Sequence, residues 1–229
     1  MFEDRDTAAA RPLWLVREAD LDTWLATQDA PTRAWLSDLR FRAERHQVAC
    51  IASAQGGVRA AVLGLGKLAT LDDLEPWHVA GAPDRLPAGA WNVATALTAR
   101  AATAAAIGWA HGSYRFDRYR TRTGPERAAP QLVPPQLADM AYVRRMAASL
   151  AMARDLINTP AADLTPERLA ALAMDMASAC GAHGRVVTGE ALREGFPAIH
   201  AVGRAAECAP RLIDFSWGDA GAPRVTLVG

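Results

Sequence analysis

Cysteine is scarce in this chain: Cys50, Cys180 and Cys208 are the whole complement. An odd number at wide separations builds neither a disulfide framework nor a zinc-ligand spacing. Three buried thiols in a reducing compartment are expected. Net charge is also missing, because twenty-five basic residues are balanced by twenty-five acidic ones. That balance removes any dominant pull toward nucleic acid or an anionic membrane. No apolar run is long enough to span a bilayer. The start, Met1-Phe2-Glu3-Asp4-Arg5-Asp6, lacks the basic region and apolar core of a secretory leader, so a cytoplasmic location is expected. His46, His78, His111, His183 and His200 have no partner at metal-ligand spacing, and each is read as a surface or packing residue. A Gly-x-Ser-x-Gly nucleophile elbow is absent as well. No residue of 1–229 is therefore assigned a catalytic, cofactor-binding or metal role.

What is present is the composition of an ordinary globular protein, 51% apolar and 22% charged. Leu21, Trp24 and Leu25 suit one helical face, as do Trp35, Leu36 and Leu39; packing explains these tryptophans better than ligand stacking. The stretches 47–53 and 58–64 read as strands joined through Gly56-Gly57 as a hairpin. The second runs into Gly64-Leu65-Gly66-Lys67, which resembles a phosphate loop but has Ala61 and Leu68 where that loop needs glycine and a hydroxyl residue. A short helix is expected over 71–80 around Trp77 and His78, and a long alanine-rich helix over 91–110, ended by Gly112. Gly124, Pro125, Pro130, Pro134 and Pro135 mark a linker. A helix then starts near Leu137. Beyond 180, strands are expected at 185–188, 211–217 and 224–228, with a short helix at 189–194. The last strand reads as buried on both faces of a parallel sheet. Helices alternating with apolar strands make the fold class α/β in both halves.

The densest local signals lie between 143 and 176. Val143, Met146, Ala147, Leu150, Ala151 and Ile157 recur at helical spacing. Asn158 can take the left-handed conformation that closes a helix, and Pro160 cannot continue one. Thr165 suits an N-cap, Pro166 the first helical position, and Glu167 the positive end of the dipole. Leu169, Leu172, Ala173 and Met176 then repeat along a second helix. Arg154 and Asp155 are expected to form ion pairs near a helix end, and Asp163 to stabilise the connection.

The wording of this region resembles the leucyl (cytosol) aminopeptidase family. The resemblance rests on Arg154-Asp155-Leu156-Ile157-Asn158-Thr159-Pro160, then Leu164-Thr165-Pro166 and Leu169-Ala170. It continues at Phe196-Pro197-Ala198-Ile199-His200-Ala201-Val202-Gly203-Arg204, at Pro210-Arg211-Leu212-Ile213-Asp214 and at Val225-Thr226-Leu227-Val228-Gly229. Ser113-Tyr114-Arg115-Phe116-Asp117-Arg118-Tyr119-Arg120-Thr121 is similar to the family's segment ahead of its domain junction. The resemblance implies an N-terminal macro-like α/β domain over 1–128, a linker over 129–136 and the N-terminal part of an α/β aminopeptidase domain, a mixed sheet flanked by helices, over 137–229. It implies a two-metal peptidase acting on peptide substrates, with zinc or manganese bound by a lysine, three aspartates and a glutamate, and a hexamer. In that chemistry two metals roughly 3.5–4 Å apart hold a nucleophilic water and polarise the scissile carbonyl. The family's first metal-ligand lysine directly follows the motif that ends here at Gly229, so residue 230 is expected to be lysine and 1–229 alone to be inactive. Two other classes stand beside this one: a non-catalytic oligomerisation or DNA-binding regulator of the same family, and a nucleotide-type ligand module.

Overall fold

The computed structural model describes residues 1–2, 10–121 and 128–228. The chain divides into two compact units, Met1–Arg154 and Asp155–Gly229.

The first unit is built on five strands: β1 (Arg11–Val16), β2 (Val48–Ala52), β3 (Val58–Gly64), β4 (Gly89–Val93) and β5 (Pro130–Leu132), in the order β2-β3-β1-β4-β5. β1 lies between β3 and β4 and runs parallel to both. β5 is parallel to β4, and β2 is antiparallel to β3. Both faces of this sheet are covered, which is why the inner strands read as nearly continuous apolar runs. On one face Leu13, Leu15, Ala61 and Leu63 meet Trp91, Trp109 and the alanines of α5 (Ala99–Ser113). On the other, Val16 and Val62 meet Leu36, Phe41 and the partly buried Trp14 and Trp24. The α/β class agrees with the sequence.

The expected β2–β3 hairpin forms, and both of its turn glycines adopt positive φ, 89° at Gly56 and 77° at Gly57. The amphipathic stretches near the start become α1 (Leu21–Ala26) and α2 (Ala30–Asp38). Asp29 caps α2 by accepting from the Thr32 N–H at 2.8 Å. β1 is a strand that periodicity did not reveal. Its ladder comes from β3 and β4, both distant in sequence.

Four expectations in this unit are corrected. The stretch 71–80 is not one helix: a 3-10 turn (Leu71–Asp73) precedes α3 (Pro76–Val79), and a separate short helix, α4 (Ala82–Arg85), follows it. Leu74 is extended, and the proline that opens α3 has no N–H to continue a ladder. The stretch 91–110 is a strand and then a helix. Trp91 belongs to β4, and α5 starts only where Thr98 accepts from the Ala101 N–H at 3.4 Å. Gly112 does not end α5. It sits inside the helix, where a Cβ would come within 1.9 Å of the Ala80 carbonyl oxygen; at Gly108 it would be 2.0 Å from that of Pro76. These glycines let the backbone of α5 lie directly on that of α3 and its C-cap. The expected linker at 129–136 carries β5, whose Leu132 is fully buried.

The helix expected near Leu137 is α6 (Met140–Asn158). Asp139 caps it by accepting from the Tyr142 N–H at 2.9 Å. Val143, Met146 and Leu150 pack into the first unit's core. Ile157 does not extend that stripe, being 81% exposed. Asn158 is not left-handed: among the described residues the non-glycine positions with positive φ are Arg40, Ala43 and His46. The main chain of α6 closes instead through the Thr159 N–H to the Asp155 carbonyl, 2.9 Å.

In the second unit α7 (Pro166–Ala179) begins as expected. Thr165 accepts from the Arg168 N–H at 3.2 Å, and Gly181 at φ 68° follows its end. β6 (His183–Val187) and β7 (Leu212–Ser216) form an antiparallel pair, with α8 (Gly189–Gly195) and α9 (Pro197–Gly203) between them. The expected strand at 224–228 does not form, and Val225, Leu227 and Val228 are all more than four-fifths exposed. A strand exists only through its ladder, and none of the described residues supplies one there.

Candidate functional site

The glycine loop after β3 comes first, since a phosphate cradle needs free backbone N–H groups. In this loop they are spent internally. Gly64 N–H donates to Gln47 O, Leu65 N–H to Val16 O, Gly66 N–H to Ala43 O and Leu68 N–H to Gly66 O, at 2.8–3.1 Å. Arg17, at the end of β1, closes the same edge. Its guanidinium donates to both Asp20 oxygens, at 2.6 and 2.8 Å, and to the carbonyls of Leu68 and Ala69. The hydrogen bond to Asp20 raises the Arg17 pKa further. The loop is a structural turn, with the N–H groups of Gly64, Leu65, Gly66 and Leu68 already used within the first unit.

Among the described residues the histidines join no cluster of three or more metal-ligating side chains. His78 is buried, and its Nδ1 accepts from the Glu75 N–H at 3.1 Å to complete a capping box on α3. His111 and His183 are exposed. His46 is unusual: it adopts φ 66°, and its Nδ1 is buried without a hydrogen-bond partner. Burial lowers its pKa below the ordinary 6.5, and the neighbouring Arg45, His78 and Arg85 lower it further. The folded chain thus resists a proton that the unfolded chain accepts. Stability from this group is complete above about pH 6.5 and is lost as the pH falls through that value toward the lowered folded one. His46→Asn keeps a residue that tolerates positive φ and removes the titration. Urea midpoints measured from about pH 7.5 down to about pH 5.5 should fall more steeply for the natural chain than for the variant. Parallel curves would refute this role.

None of the cysteines is fully buried, contrary to expectation: Cys180 is exposed and the other two are half-buried. Burial raises the Cys50 pKa, which keeps it a thiol rather than a nucleophile.

One concavity lies wholly within the first unit. It has a volume of about 550 Å³ between α3, the N-terminal half of α5 and the start of α6. Leu74, Ala104 and Ile107 contribute to its apolar lining, while Trp77 and Tyr142 are about half exposed. Arg100, Glu75 and Asp139 supply its charge. Asp139 is already committed as the cap of α6, and its N–H donates to Thr103 Oγ1 at 3.0 Å. Sequence reasoning missed this groove because its residues come from three helices. It contains no nucleophile–base pair and no converging carboxylates, so it offers contact area rather than chemistry.

Arg154 is not held as the sequence suggested. It lies over the Tyr114 ring, 3.9 Å from the centroid, and donates to the His111 carbonyl at 2.9 Å. In the connection the Asp163 main-chain N–H donates to Pro160 O at 2.9 Å. Among the described residues no three or more His, Cys, Asp or Glu side chains come together as a metal cage. The donors present therefore do not fit a two-metal centre. No helix of the described residues is long and apolar enough to cross a membrane.

Comparison with known proteins places these features in a context. Residues 11–134 match the M17 aminopeptidase N-terminal domain, and residues 151–229 match the catalytic domain of the cytosol aminopeptidase family. A probable cytosol aminopeptidase of Corynebacterium diphtheriae is 31% identical over 176 residues, covering 73% of this chain and 35% of the relative. One from Streptomyces avermitilis is 38% identical over 156 residues, covering 61% of this chain and 30% of the relative. The crystal structure of the cytosol aminopeptidase from Coxiella burnetii superposes with a TM-score of 0.78 at 30% identity, over 97% of this chain and 47% of that one. The bottromycin maturation enzyme BotP in complex with Mn superposes with a TM-score of 0.67 at 26% identity, over 93% of this chain and 46% of that one. The chain thus spans about a third of the curated relatives and about half of the solved chains.

Proposed function

Because the chain belongs to the M17 cytosol aminopeptidase family, we propose that the whole protein is a metal-dependent aminopeptidase releasing N-terminal residues, with a leucine-type preference, from peptides. The observation that carries this reading is the tandem match, N-terminal domain at 11–134 and catalytic domain at 151–229, in the family's order. The superposition on the Coxiella burnetii enzyme over nearly the whole chain supports it. Two divalent ions, zinc or manganese, are proposed for the whole enzyme, and the manganese complex of the related BotP favours manganese. A cytoplasmic homo-hexamer is proposed with it.

The described residues furnish no metal cage, so no catalytic step is assigned to them and 1–229 alone are proposed to be inactive. What they do supply is the structured frame: a sheet packed on both faces, and the helices that lead from it into the second unit. The test compares the whole protein with a polypeptide of residues 1–229. Hydrolysis of leucine amide and metal content are measured for both. The whole protein should show turnover that a chelator abolishes and a divalent metal restores, while 1–229 should show neither turnover nor stoichiometric metal. Turnover by 1–229, or a metal-loaded whole protein without peptidase activity, would overturn the reading.

A further inference from the structure

Arg40, Ala43 and His46, at φ 52°, 55° and 66°, all fall in the connection between α2 and β2. A left-handed backbone is unfavourable for a residue with a Cβ, so neighbouring contacts must impose it. Those contacts come from the glycine turn that ends β3. Gly66 N–H donates to Ala43 O at 2.9 Å, His46 N–H to Gly64 O at 3.0 Å, and Gly64 N–H to Gln47 O at 2.8 Å. The turn is a flat seat because it lacks side chains. A Cβ at Gly64 would lie 2.2 Å from Glu44 O, and one at Gly66 would lie 3.0 Å from Arg45 Cβ. The two ends of the connection are fixed differently from its middle. Phe41 and Ala43 are buried with Val16, Leu36 and Val62, and β2 pairs with β3 from Val48 onward. Between these anchors Glu44, Arg45, His46 and Gln47 are all polar, so lifting them uncovers little apolar side chain of their own.

His46 is the weak point of this middle stretch. Its Nδ1 is buried with no hydrogen-bond partner among the described residues. Its carbonyl accepts from the Arg85 guanidinium of α4 at 3.2 Å. The charged and titrating groups that act on its ring are Arg45 of the same connection, His78 of α3 and Arg85 of α4. Each is a cation or becomes one, so a proton on the ring meets both burial and like charge. From the strained backbone, the unpartnered nitrogen and the surrounding cations, we infer that residues 44–47 form an acid-released strap over the end of β3. With His46 neutral the strap lies on Gly64 and Gly66. A proton on the ring lifts it, letting the imidazolium reach water and freeing the Gly64 N–H. The glycines of the 64–66 turn are there to seat this strap.

Hydrogen exchange of the whole protein tests the strap, read by peptide mass spectrometry and corrected for the intrinsic rate at each pH. Between about pH 7.5 and about pH 5.5, protection of peptides containing His46, Gln47 and Gly64 should fall several-fold more than that of β1 peptides. The ceiling is about tenfold, because an uncovered histidine with the ordinary pKa of 6.5 is about ten parts protonated to one at pH 5.5. His46→Asn tolerates positive φ and does not titrate, so its fall should match that of β1. A fall in the natural chain no larger than that of β1 would overturn the proposal, since acid would then act on the whole sheet or on nothing. So would an excess fall that persists in full in His46→Asn. If His46→Asn fails to fold, His46→Gly, which also suits φ 66°, is read by the same criteria.

Discussion

Gly112→Ala is expected to destabilise the chain by about 3 kcal/mol, although alanine is the better helix former. At an unobstructed helix position the same change would add roughly 0.4–1 kcal/mol by narrowing the unfolded ensemble. Position 112 is obstructed by main chain: the new methyl would sit 1.9 Å from the Ala80 oxygen and 2.8 Å from its carbonyl carbon. A flexible side chain could turn aside, but the backbone that caps α3 can yield only by moving α3 with it. Trp109, Ala105 and Val79 in the same core would then lose their packing. Gly108→Ala meets the Pro76 oxygen at 2.0 Å and should behave alike. Gly195→Ala, where nothing lies within 4 Å and φ is not positive, is the control and should fall within about 0.5 kcal/mol of the natural chain. Thermal midpoints read the difference, since about 3 kcal/mol corresponds to roughly 6–12 °C in a chain of this size. Equal midpoints for Gly112→Ala and Gly195→Ala would show that α5 and α3 do not touch backbone to backbone.

The other large effect is expected at Trp91→Ala, about 3–5 kcal/mol. Trp91 is fully buried on β4, and with Trp109 of α5 it heads the large side chains of this core. Its indole N–H donates to the Pro87 carbonyl at 3.0 Å, and the Arg11 guanidinium lies over the ring at 4.2 Å. Removing the ring leaves a cavity lined by strand and helix that neither can collapse to fill. Trp77→Ala provides the contrast. Trp77 is 52% exposed on the groove, and its loss should cost about 0.5 kcal/mol or less. Urea unfolding of both variants separates the two cases. A Trp91→Ala midpoint no lower than that of Trp77→Ala would remove Trp91 from the core.

The contrast between these tryptophans marks what was legible. Apolar spacing exposed the face of α6 as far as Leu150 and part of that of α7, whereas on α2 Leu36 is buried and Trp35 and Leu39, expected beside it, are exposed; cap chemistry marked the start of α7 at Thr165. The Gly56-Gly57 turn exposed the hairpin. Each of these signals is local, closed within a dozen residues, so reading along the chain recovers it. The candidate site was less legible, because the groove draws Trp77, Arg100 and Tyr142 from three separate helices. The Tyr114–Arg154 contact was half visible, since both residues lie in segments that resemble the family, yet nothing in either segment pointed to the other.

By itself the sequence determined the α/β class, the hairpin, the main helices and, through its motifs, the family. Those are set by residue-level preferences and by patterns that recur within one or two turns. The tertiary structure alone decided that 11–16 is the central strand, because Leu13 pairs with both Ala61 and Val93. It decided that Trp91 lies in a strand rather than a helix, because a parallel ladder was available beside it. It made Gly112, expected to end the helix, a contact point inside it, and it left 224–228 without a strand. In each case the deciding energy is a hydrogen bond or a packing contact with a residue far away in the chain. Local propensity, worth less than about 1 kcal/mol per residue, yields to that.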